Sequence, residues 1–121
     1  FGKRRVEEFE EELADKNYIT LVAKKGGLVV GYASVLVLME TADLVSLAVD
    51  ANYRRFGFGT KLLDAMVKEA KQAGCDRLML EVRKSNLPAI KLYNKLGFVP
   101  IFVREKYYEG REDAIVMKLD L

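Results

Sequence analysis

The segment from Val49 to Leu63 constrains the fold of this chain more than any other part of its sequence. It leaves an apolar strand, crosses a polar loop and enters an amphipathic helix over Lys61 to Ala73. The loop carries the pattern Arg-x-x-Gly-x-Gly, formed by Arg54, Gly57 and Gly59. A glycine-containing turn that opens a helix directs backbone N–H groups, and the positive end of the helix dipole, toward one point. The pattern therefore indicates a site for a phosphate or pyrophosphate group.

The spacing of these residues excludes two other phosphate-binding loops. The order Gly59-Thr60-Lys61 is wrong for the Gly-x-x-x-x-Gly-Lys-Ser/Thr loop. The dinucleotide fingerprint Gly-x-Gly-x-x-Gly fails because Leu62 occupies its last glycine position. A tight strand-to-helix turn, with glycines that allow close packing, explains the same pattern equally well. The segment alone leaves both interpretations open.

The composition narrows the class of protein. A chain of 121 residues that is 50% hydrophobic is long enough for one domain with a real core. Its 20 basic and 18 acidic residues leave a net charge of +2, which argues against nucleic acid or a membrane surface as a partner. The single cysteine, Cys75, forms no internal disulfide, so we expect a cytoplasmic setting and an inert thiol.

Apolar periodicity and turn residues predict a mixed α/β sheet flanked by helices. The second and third strands are expected to be antiparallel, and the third strand, the long helix and the fourth strand to form a right-handed parallel crossover. Asn86 is expected to cap the second long helix. The predicted helices are 6–14, 59–73 and 87–96, and the predicted strands are 18–23, 28–38, 42–49, 78–82, 98–106 and 114–119.

Four sequence blocks resemble the GNAT superfamily of N-acetyltransferases, and within it the ribosomal-protein-alanine N-acetyltransferases of the RimI type. The blocks are Leu47–Asp50, Tyr53–Gly59, Leu80–Asn86 with its continuation Ala89–Tyr93 and Leu96–Phe98, and Tyr107–Tyr108 with Gly110–Ala114. The resemblance implies the GNAT fold, a mixed and mostly antiparallel sheet with a central β-α-β crossover that binds acetyl-CoA. We expect residues 1–121 to form a single domain that lacks the family's first strand and helix.

The resemblance also assigns cofactor-binding residues. Backbone amides of the glycine loop would hold the pyrophosphate of acetyl-CoA, and the edge of the third strand would pair with its pantetheine arm. Two of these assignments also have an explanation without a cofactor. Leu47–Val49 fit a core strand, and Asn86 fits a helix cap. The residues implied are Leu47, Ala48, Val49, Arg54, Arg55, Phe56, Gly57, Phe58, Gly59, Thr60, Asn86 and Tyr93.

Two residues are candidates for acid and base catalysis. The chain contains no histidine, so the commonest general base is excluded. Glu81 lies in an apolar run, where loss of water would make its carboxylate a stronger base. A solvent-facing position or an ion pair with Arg83 or Arg104 is the alternative, and the matching family position favours catalysis. Tyr93 is the candidate acid, with core packing as its alternative.

Tyr107 and Tyr108 are the candidate acceptor-binding residues, because the family grips the acceptor peptide near this point. Adjacent residues of a strand point to opposite faces, so at most one of the two is expected to line the site. Glu112 and Asp113 follow them and either attract the acceptor's ammonium group or belong to a solvated turn.

The expected reaction is acetyl transfer from acetyl-CoA to a protein N-terminal amine, with no metal. An α-amine has a pKa near 7.7 to 8.0 against about 10.4 for lysine, so its deprotonation costs roughly 3 kcal/mol less. The resemblance implies the N-terminal alanine of a small-subunit ribosomal protein, or a wider set of N-termini, as acceptor. A lysine or small-molecule amine acetyltransferase and a non-catalytic acyl-CoA-binding module stay open as alternatives.

Overall fold

The computed structural model describes residues 16–54, 56–108 and 110–121. Every element predicted from Tyr18 onward is present there, with bounds that differ by at most two residues, and the predicted helix over 6–14 lies outside the described residues. The strands are β1 (Tyr18–Lys25), β2 (Leu28–Leu38), β3 (Thr41–Val49), β4 (Arg77–Arg83), β5 (Val99–Tyr108) and β6 (Glu112–Asp120). The helices are α1 (Phe58–Gln72) and α2 (Leu87–Lys95), with a short 3-10 turn at Ala51–Tyr53.

The six strands form one mixed sheet in the order β1-β2-β3-β4-β6-β5. All neighbouring strands are antiparallel except β3 and β4, which are parallel. Helix α1 connects these two parallel strands, which confirms the predicted β-α-β unit. The antiparallel pairing of β2 and β3 is confirmed as well.

The parallel strands β3 and β4 pair over only a short distance. Thr41 to Asp43 align with Arg77 to Met79, and no pairing follows, although β3 continues to Val49 and β4 to Arg83. Strand β3 stays attached to β2 along this stretch, with Gly31 opposite Val49. The facing edges of β3 and β4 therefore separate and leave backbone N–H and C=O groups without a strand partner.

Buried and exposed residues alternate along the strands, which shows which side chains lie on each face of the sheet. On β4, Leu78, Leu80 and Val82 are buried, whereas the residues between them are partly exposed. The buried side chains join one apolar cluster with Met66 of α1 and Tyr93 of α2. Both described helices thus pack on one face, and the intervening residues of β4 point to the other face.

Local signals in the sequence explain where α2 begins and ends. The Asn86 side chain accepts a hydrogen bond from the backbone N–H of Ala89 at 3.3 Å, so Asn86 is the N-cap that the sequence predicts. Pro88 occupies the first turn, where its missing N–H costs nothing. Gly97 follows the helix with a φ of 99°.

We expect Gly31→Ala to lower the free energy of unfolding by about 1–3 kcal/mol, because the position has no room for a methyl group. A Cβ at Gly31 would lie 2.9 Å from the backbone oxygen of Ala48 and 3.2 Å from Cδ1 of Leu62. The matched control is Gly59→Ala in α1, where the nearest atoms would lie at 3.9 Å and helix propensity favours alanine by up to about 1 kcal/mol. Urea unfolding of both variants measures the difference, and equal stabilities would contradict this account of β2 packing.

Candidate functional site

The start of α1 has the features of an anion site. Gly57 is its N-cap, adopts a left-handed φ of 81° and forms no side-chain capping hydrogen bond. The first intrahelical bond runs from the N–H of Lys61 to the carbonyl of Gly57 at 3.0 Å, so the preceding amides of the first turn have no intrahelical acceptor. A methyl group at Gly59 would enter open space, limited only by Leu92 and Val49 at 3.9 Å.

These amides open into a cavity of about 740 Å³, which we call the loop cavity. The wall opposite α1 is made by the separated end of β3 and by the first turns of α2. The lining residues are Leu47, Ala48, Val49, Tyr53, Arg54, Gly57, Phe58, Gly59, Thr60, Asn86, Pro88, Ala89 and Leu92.

Most residues assigned to cofactor binding from the sequence meet in the loop cavity. Phe56 does not line it: this ring is 57% exposed and lies 4.6 Å from the ammonium group of Lys25. Tyr93 does not line it either, and Arg55 lies outside the described residues. The sequence analysis missed Tyr53 and the lining residues of α2. Helical spacing gave a signal for the latter, since Pro88, Ala89 and Leu92 project on one side of α2.

The loop cavity fits the phosphate and amide groups of acetyl-CoA. Uncapped amides and the guanidinium of Arg54 suit a pyrophosphate, because both are donors with positive electrostatic potential. Leu47 to Val49 present a strand edge that β4 does not use, which suits the peptide-like amides of a pantetheine arm. The side chains of Leu47 and Val49 contact the core, so the core-strand interpretation is confirmed, and it is compatible with backbone pairing to a cofactor.

The gap where β3 and β4 separate after Asp43 and Met79 is called the split below. A second cavity, of about 590 Å³, lies beside it, and we call this the tyrosine cavity. Its walls come from β3, β4, β5 and β6. The lining residues are Thr41, Asp43, Leu44, Val45, Met79, Leu80, Glu81, Arg104, Tyr107, Tyr108 and Val116.

Glu81 faces the tyrosine cavity and is anchored there by an ion pair. Its Oε1 accepts a hydrogen bond from Nε of Arg104 at 3.0 Å. The expected desolvation is wrong, since the Glu81 side chain is 30% exposed. The physical reason is strand alternation, which turns Leu80 and Val82 into the core and Glu81 away from it. The predicted alternative of a pair with Arg104 is confirmed.

Tyr107 and Tyr108 both line the tyrosine cavity, so the expectation that at most one would do so is wrong. Alternation fails because the register between β5 and β6 shifts after Arg104, and Lys106 has a positive φ of 49°. Asp113 fixes this irregularity by accepting a hydrogen bond from the backbone N–H of Lys106 at 2.9 Å. The two tyrosine rings then meet edge to face, with centroids 5.1 Å apart.

The hydroxyl of Tyr107 lies beside Glu81. Its side-chain hydrogen bond to the Glu81 carboxylate is the largest cause that raises the pKa of Tyr107, and the charge of Glu81 raises it further. Burial, followed by the charge of Glu81, raises the pKa of Tyr108. Both phenols are therefore neutral near pH 7 and act as hydrogen-bond donors.

Glu112 has a structural role. Its carboxylate accepts from the backbone N–H of Ser85 at 2.8 Å and pairs with Arg83 at 3.3 Å. Hydrogen bonds with Ser85, followed by the interaction with Arg83, lower the pKa of Glu112. Glu112 thus ties the start of β6 to the loop before α2, and Asp113 ties it to β5, rather than forming a simple solvated turn.

Tyr93 lies in the core next to the tyrosine cavity. It is 8% exposed, and its ring packs against Phe98 with centroids 5.8 Å apart. Burial raises the pKa of Tyr93, and the neighbouring Tyr108 raises it further. Tyr93 is therefore a neutral, protonated phenol near pH 7. The core-packing interpretation is confirmed, and it is compatible with a donor role for the hydroxyl.

Sequence analysis did not assign Asp43 to the site, and it considered Arg104 only as a possible ion-pair partner of Glu81. Asp43 aligns with Met79 at the last paired position of β3 and β4, and burial followed by the charge of Glu81 raises its pKa. No motif marks these residues, because they meet only through the strand order. Cys75 is buried and the pKa of its thiol is raised, which agrees with the predicted inert role.

Metal-binding groups and membrane-spanning helices are both absent from the part of the chain that the structure describes. It contains no group of three or more His, Cys, Asp or Glu side chains arranged to hold a metal ion. In those same residues, no helix is long and apolar enough to cross a membrane.

Comparisons with known proteins agree with this geometry. A sequence profile of the acetyltransferase (GNAT) family matches residues 1–98. The ribosomal protein bS18-alanine N-acetyltransferase of Escherichia coli K12 is 38% identical over 109 residues, which cover 88% of this chain and 74% of that relative. An N-alpha-acetyltransferase of Sulfurisphaera tokodaii is 39% identical over 126 residues, with coverage of 93% and 75%.

Solved structures share the fold. The crystal structure of the Escherichia coli enzyme superposes with a TM-score of 0.87 at 37% identity, and covers 94% of this chain and 75% of its own. A GNAT family acetyltransferase from Elizabethkingia anophelis with acetyl-CoA bound superposes with a TM-score of 0.84 and shares the fold at 22% identity, with coverage of 97% and 84%.

We expect Asp113→Ala to separate the two tyrosine rings, because the N–H of Lys106 would lose the acceptor that holds the β5 irregularity. The free energy of unfolding should fall by about 1 kcal/mol, the usual contribution of one hydrogen bond. Nuclear Overhauser contacts between the rings of Tyr107 and Tyr108 provide the measurement. The matched control is Asp120→Ala, which removes an exposed carboxylate paired only with Lys118. Ring contacts that persist in Asp113→Ala would show that Asp113 does not hold the pair.

Proposed function

Because this chain belongs to the GNAT family of acetyltransferases, we propose that it transfers the acetyl group of acetyl-CoA to the N-terminal α-amine of a protein. The observation that carries the proposal is the pair of cavities beside the β3–β4 split. One holds uncapped helix amides, and the other holds a carboxylate anchored among tyrosines. A donor in the first cavity and an acceptor in the second would meet at the split.

The residues of the loop cavity would hold acetyl-CoA, which supplies the activated acetyl group as a thioester. The first-turn amides of α1 and the guanidinium of Arg54 would bind its pyrophosphate. The unpaired edge of β3 at Leu47 to Val49 would pair with the pantetheine amides and align the arm with the split.

Glu81 and Tyr93 would handle the two protons of the reaction. Glu81 accepts a proton from the acceptor's ammonium group, directly or through a water, and the neutral amine then attacks the thioester carbonyl. The C–S bond would break as the amide bond forms, and Tyr93 would donate its phenolic proton to the departing thiolate. The attacking nitrogen would release its surplus proton, which would restore the Tyr93 phenol directly or through a water. Arg104 and Tyr107 fix the direction of the Glu81 carboxylate through the contacts described above.

The absence of histidine from the sequence favours an α-amine as the acceptor. A carboxylate is a weak base, and an α-amine loses its proton about 3 kcal/mol more readily than a lysine does. The relatives named as N-terminal acetyltransferases support the same class of acceptor. We therefore propose the N-terminal alanine of a ribosomal protein, or a broader set of protein N-termini, as the substrate, in the cytoplasm where such proteins are made.

An acceptor panel tests the proposal. Thiol release from acetyl-CoA is measured with peptides that begin with Ala, Ser or Met, with a lysine peptide whose N-terminus is blocked, and with spermidine. Release with the free N-terminal peptides alone is the expected result. Preferential thiol release with the blocked lysine peptide would indicate a lysine acetyltransferase instead, and preferential release with spermidine would indicate a small-molecule amine acetyltransferase. Tight acetyl-CoA binding without any release would favour a non-catalytic acyl-CoA-binding module.

Two substitutions test the catalytic roles. Glu81→Gln and Tyr93→Phe should each lower kcat by about 10²-fold or more, the usual contribution of a positioned acid or base, with little change in acetyl-CoA affinity. Glu105→Gln and Tyr18→Phe are the matched controls, because both side chains lie outside the two cavities. Full turnover by the Glu81 and Tyr93 variants would refute the assigned roles but leave the fold and the cofactor site in place.

A further inference from the structure

The tyrosine cavity is lined by two carboxylates, Asp43 and Glu81, which differ in whether a basic side chain pairs with them. Glu81 is paired with Arg104 at 3.0 Å. Within the described part of the chain, Asp43 has no basic side chain at ion-pair distance. Among the side chains of residues 16–54, 56–108 and 110–121, no cation therefore competes with a ligand for this negative charge.

The strand register places both carboxylates on the same face. Asp43 is opposite Met79, and Glu81 follows Met79 by two residues, so all three side chains point into the tyrosine cavity. Neighbouring strands are about 4.8 Å apart and two residues span about 6.6 Å, which puts the two backbone positions about 8 Å apart. That distance is close to the length of two residues of an extended peptide.

The charge of the cavity wall is negative overall. Asp43 and Glu81 contribute two negative charges and Arg104 contributes one positive charge, while both cavity tyrosines stay neutral. The basic residues that β4 and β6 carry nearest to this face do not line the cavity. Arg77 lies outside its wall, Arg83 pairs with Glu112 at 3.3 Å, and Lys118 pairs with Asp120 at 3.2 Å. One unit of negative charge is left for an acceptor to neutralise.

The two carboxylates also differ in their position relative to the split. Glu81 lies where β3 and β4 have separated, whereas Asp43 lies at their last paired position. An acceptor amine that reaches the split therefore meets Glu81, and the following residues of the acceptor run past Asp43. The α-amine has to be uncharged when it attacks, so it cannot balance the charge of Asp43 throughout the reaction.

We propose that Asp43 makes the protein select acceptors that carry a second positive charge, on a lysine or arginine side chain within the first few residues after the N-terminal amine. The inference rests on the proposed function and names the substrate class of the same site. The attraction should be moderate, because Asp43 is exposed and solvent screens its charge.

The experiment compares peptides that begin with alanine and differ at one position. Lysine, norleucine or glutamate is placed at residue two, three or five, and kcat/KM is measured at low ionic strength. The wild-type protein should prefer lysine over norleucine by about 3- to 10-fold at residue two or three, and not at residue five. This preference should shrink toward unity at high salt.

Charge variants of Asp43 identify the residue responsible. Asp43→Asn should remove the lysine preference, and Asp43→Lys should shift it toward glutamate, with the norleucine peptide serving as the reference in each variant. Asp64→Asn is the matched control, since Asp64 is an exposed carboxylate on α1 outside both cavities and should keep the wild-type preference.

The outcomes separate this inference from the proposed function. Acetylation of every alanine peptide with equal kcat/KM, or a lysine preference that survives both Asp43 variants, would overturn the role of Asp43 and leave N-terminal acetylation in place. Absence of turnover with all peptides would instead refute the proposed function. Circular dichroism of each variant confirms that a lost preference does not reflect unfolding.

Discussion

The early end of the β3–β4 pairing is the constraint on which the rest of the site depends. Parallel strands normally continue their hydrogen bonds along their shared length, yet these two stop after three residue pairs. The remaining backbone groups of β3 lack a strand partner on that side and need acceptors and donors from elsewhere. A ligand rich in amide groups would satisfy them, and we propose that the gap in the sheet is its binding surface.

Both cavities are consequences of this gap. The helix that crosses from β3 to β4 starts at the open end of the split, which brings its uncapped first turn next to the free edge of β3. On the other face, the split exposes the side chains that alternation turns away from the helices, Glu81 and Asp43 among them. Buried residues such as Leu80 and Val82 support the same strand from the opposite face. The early end of the β3–β4 pairing thus positions the two cavities, the proposed donor and acceptor sites, next to each other.

Hydrogen bonds from the last hairpin complete the tyrosine cavity, the proposed acceptor site. Asp113 holds the positive φ at Lys106, and this irregularity brings both Tyr107 and Tyr108 to the cavity. Glu112 ties the same hairpin to the loop before α2 through Ser85. Glu112 and Asp113 thus have a structural role beside the tyrosines. Their carboxylates accept hydrogen bonds from the backbone N–H groups of Ser85 and Lys106.

The sequence predicted the features that depend on local patterns. Periodicity and capping residues located the elements from Tyr18 onward, and the glycine spacing located the uncapped start of α1. The errors came from features that depend on partners distant in sequence. The bulge near Lys106 requires an acceptor from β6. The sequence offered the pair of Glu81 with Arg104 only as the alternative to a desolvated carboxylate, because the cation comes from β5, a strand that is not a neighbour of β4. Asp43 carries no motif, so only the strand register reveals its place beside Glu81.

Amide hydrogen exchange with and without acetyl-CoA tests the central claim most directly. The account predicts that the ligand slows exchange at the free edge of β3, from Val45 to Val49, and in the first turn of α1, from Phe58 to Thr60. Exchange in β1, which lies far from the split, should stay unchanged. Tight binding of acetyl-CoA without protection of these two segments would contradict the claim that the gap between β3 and β4 is the cofactor site.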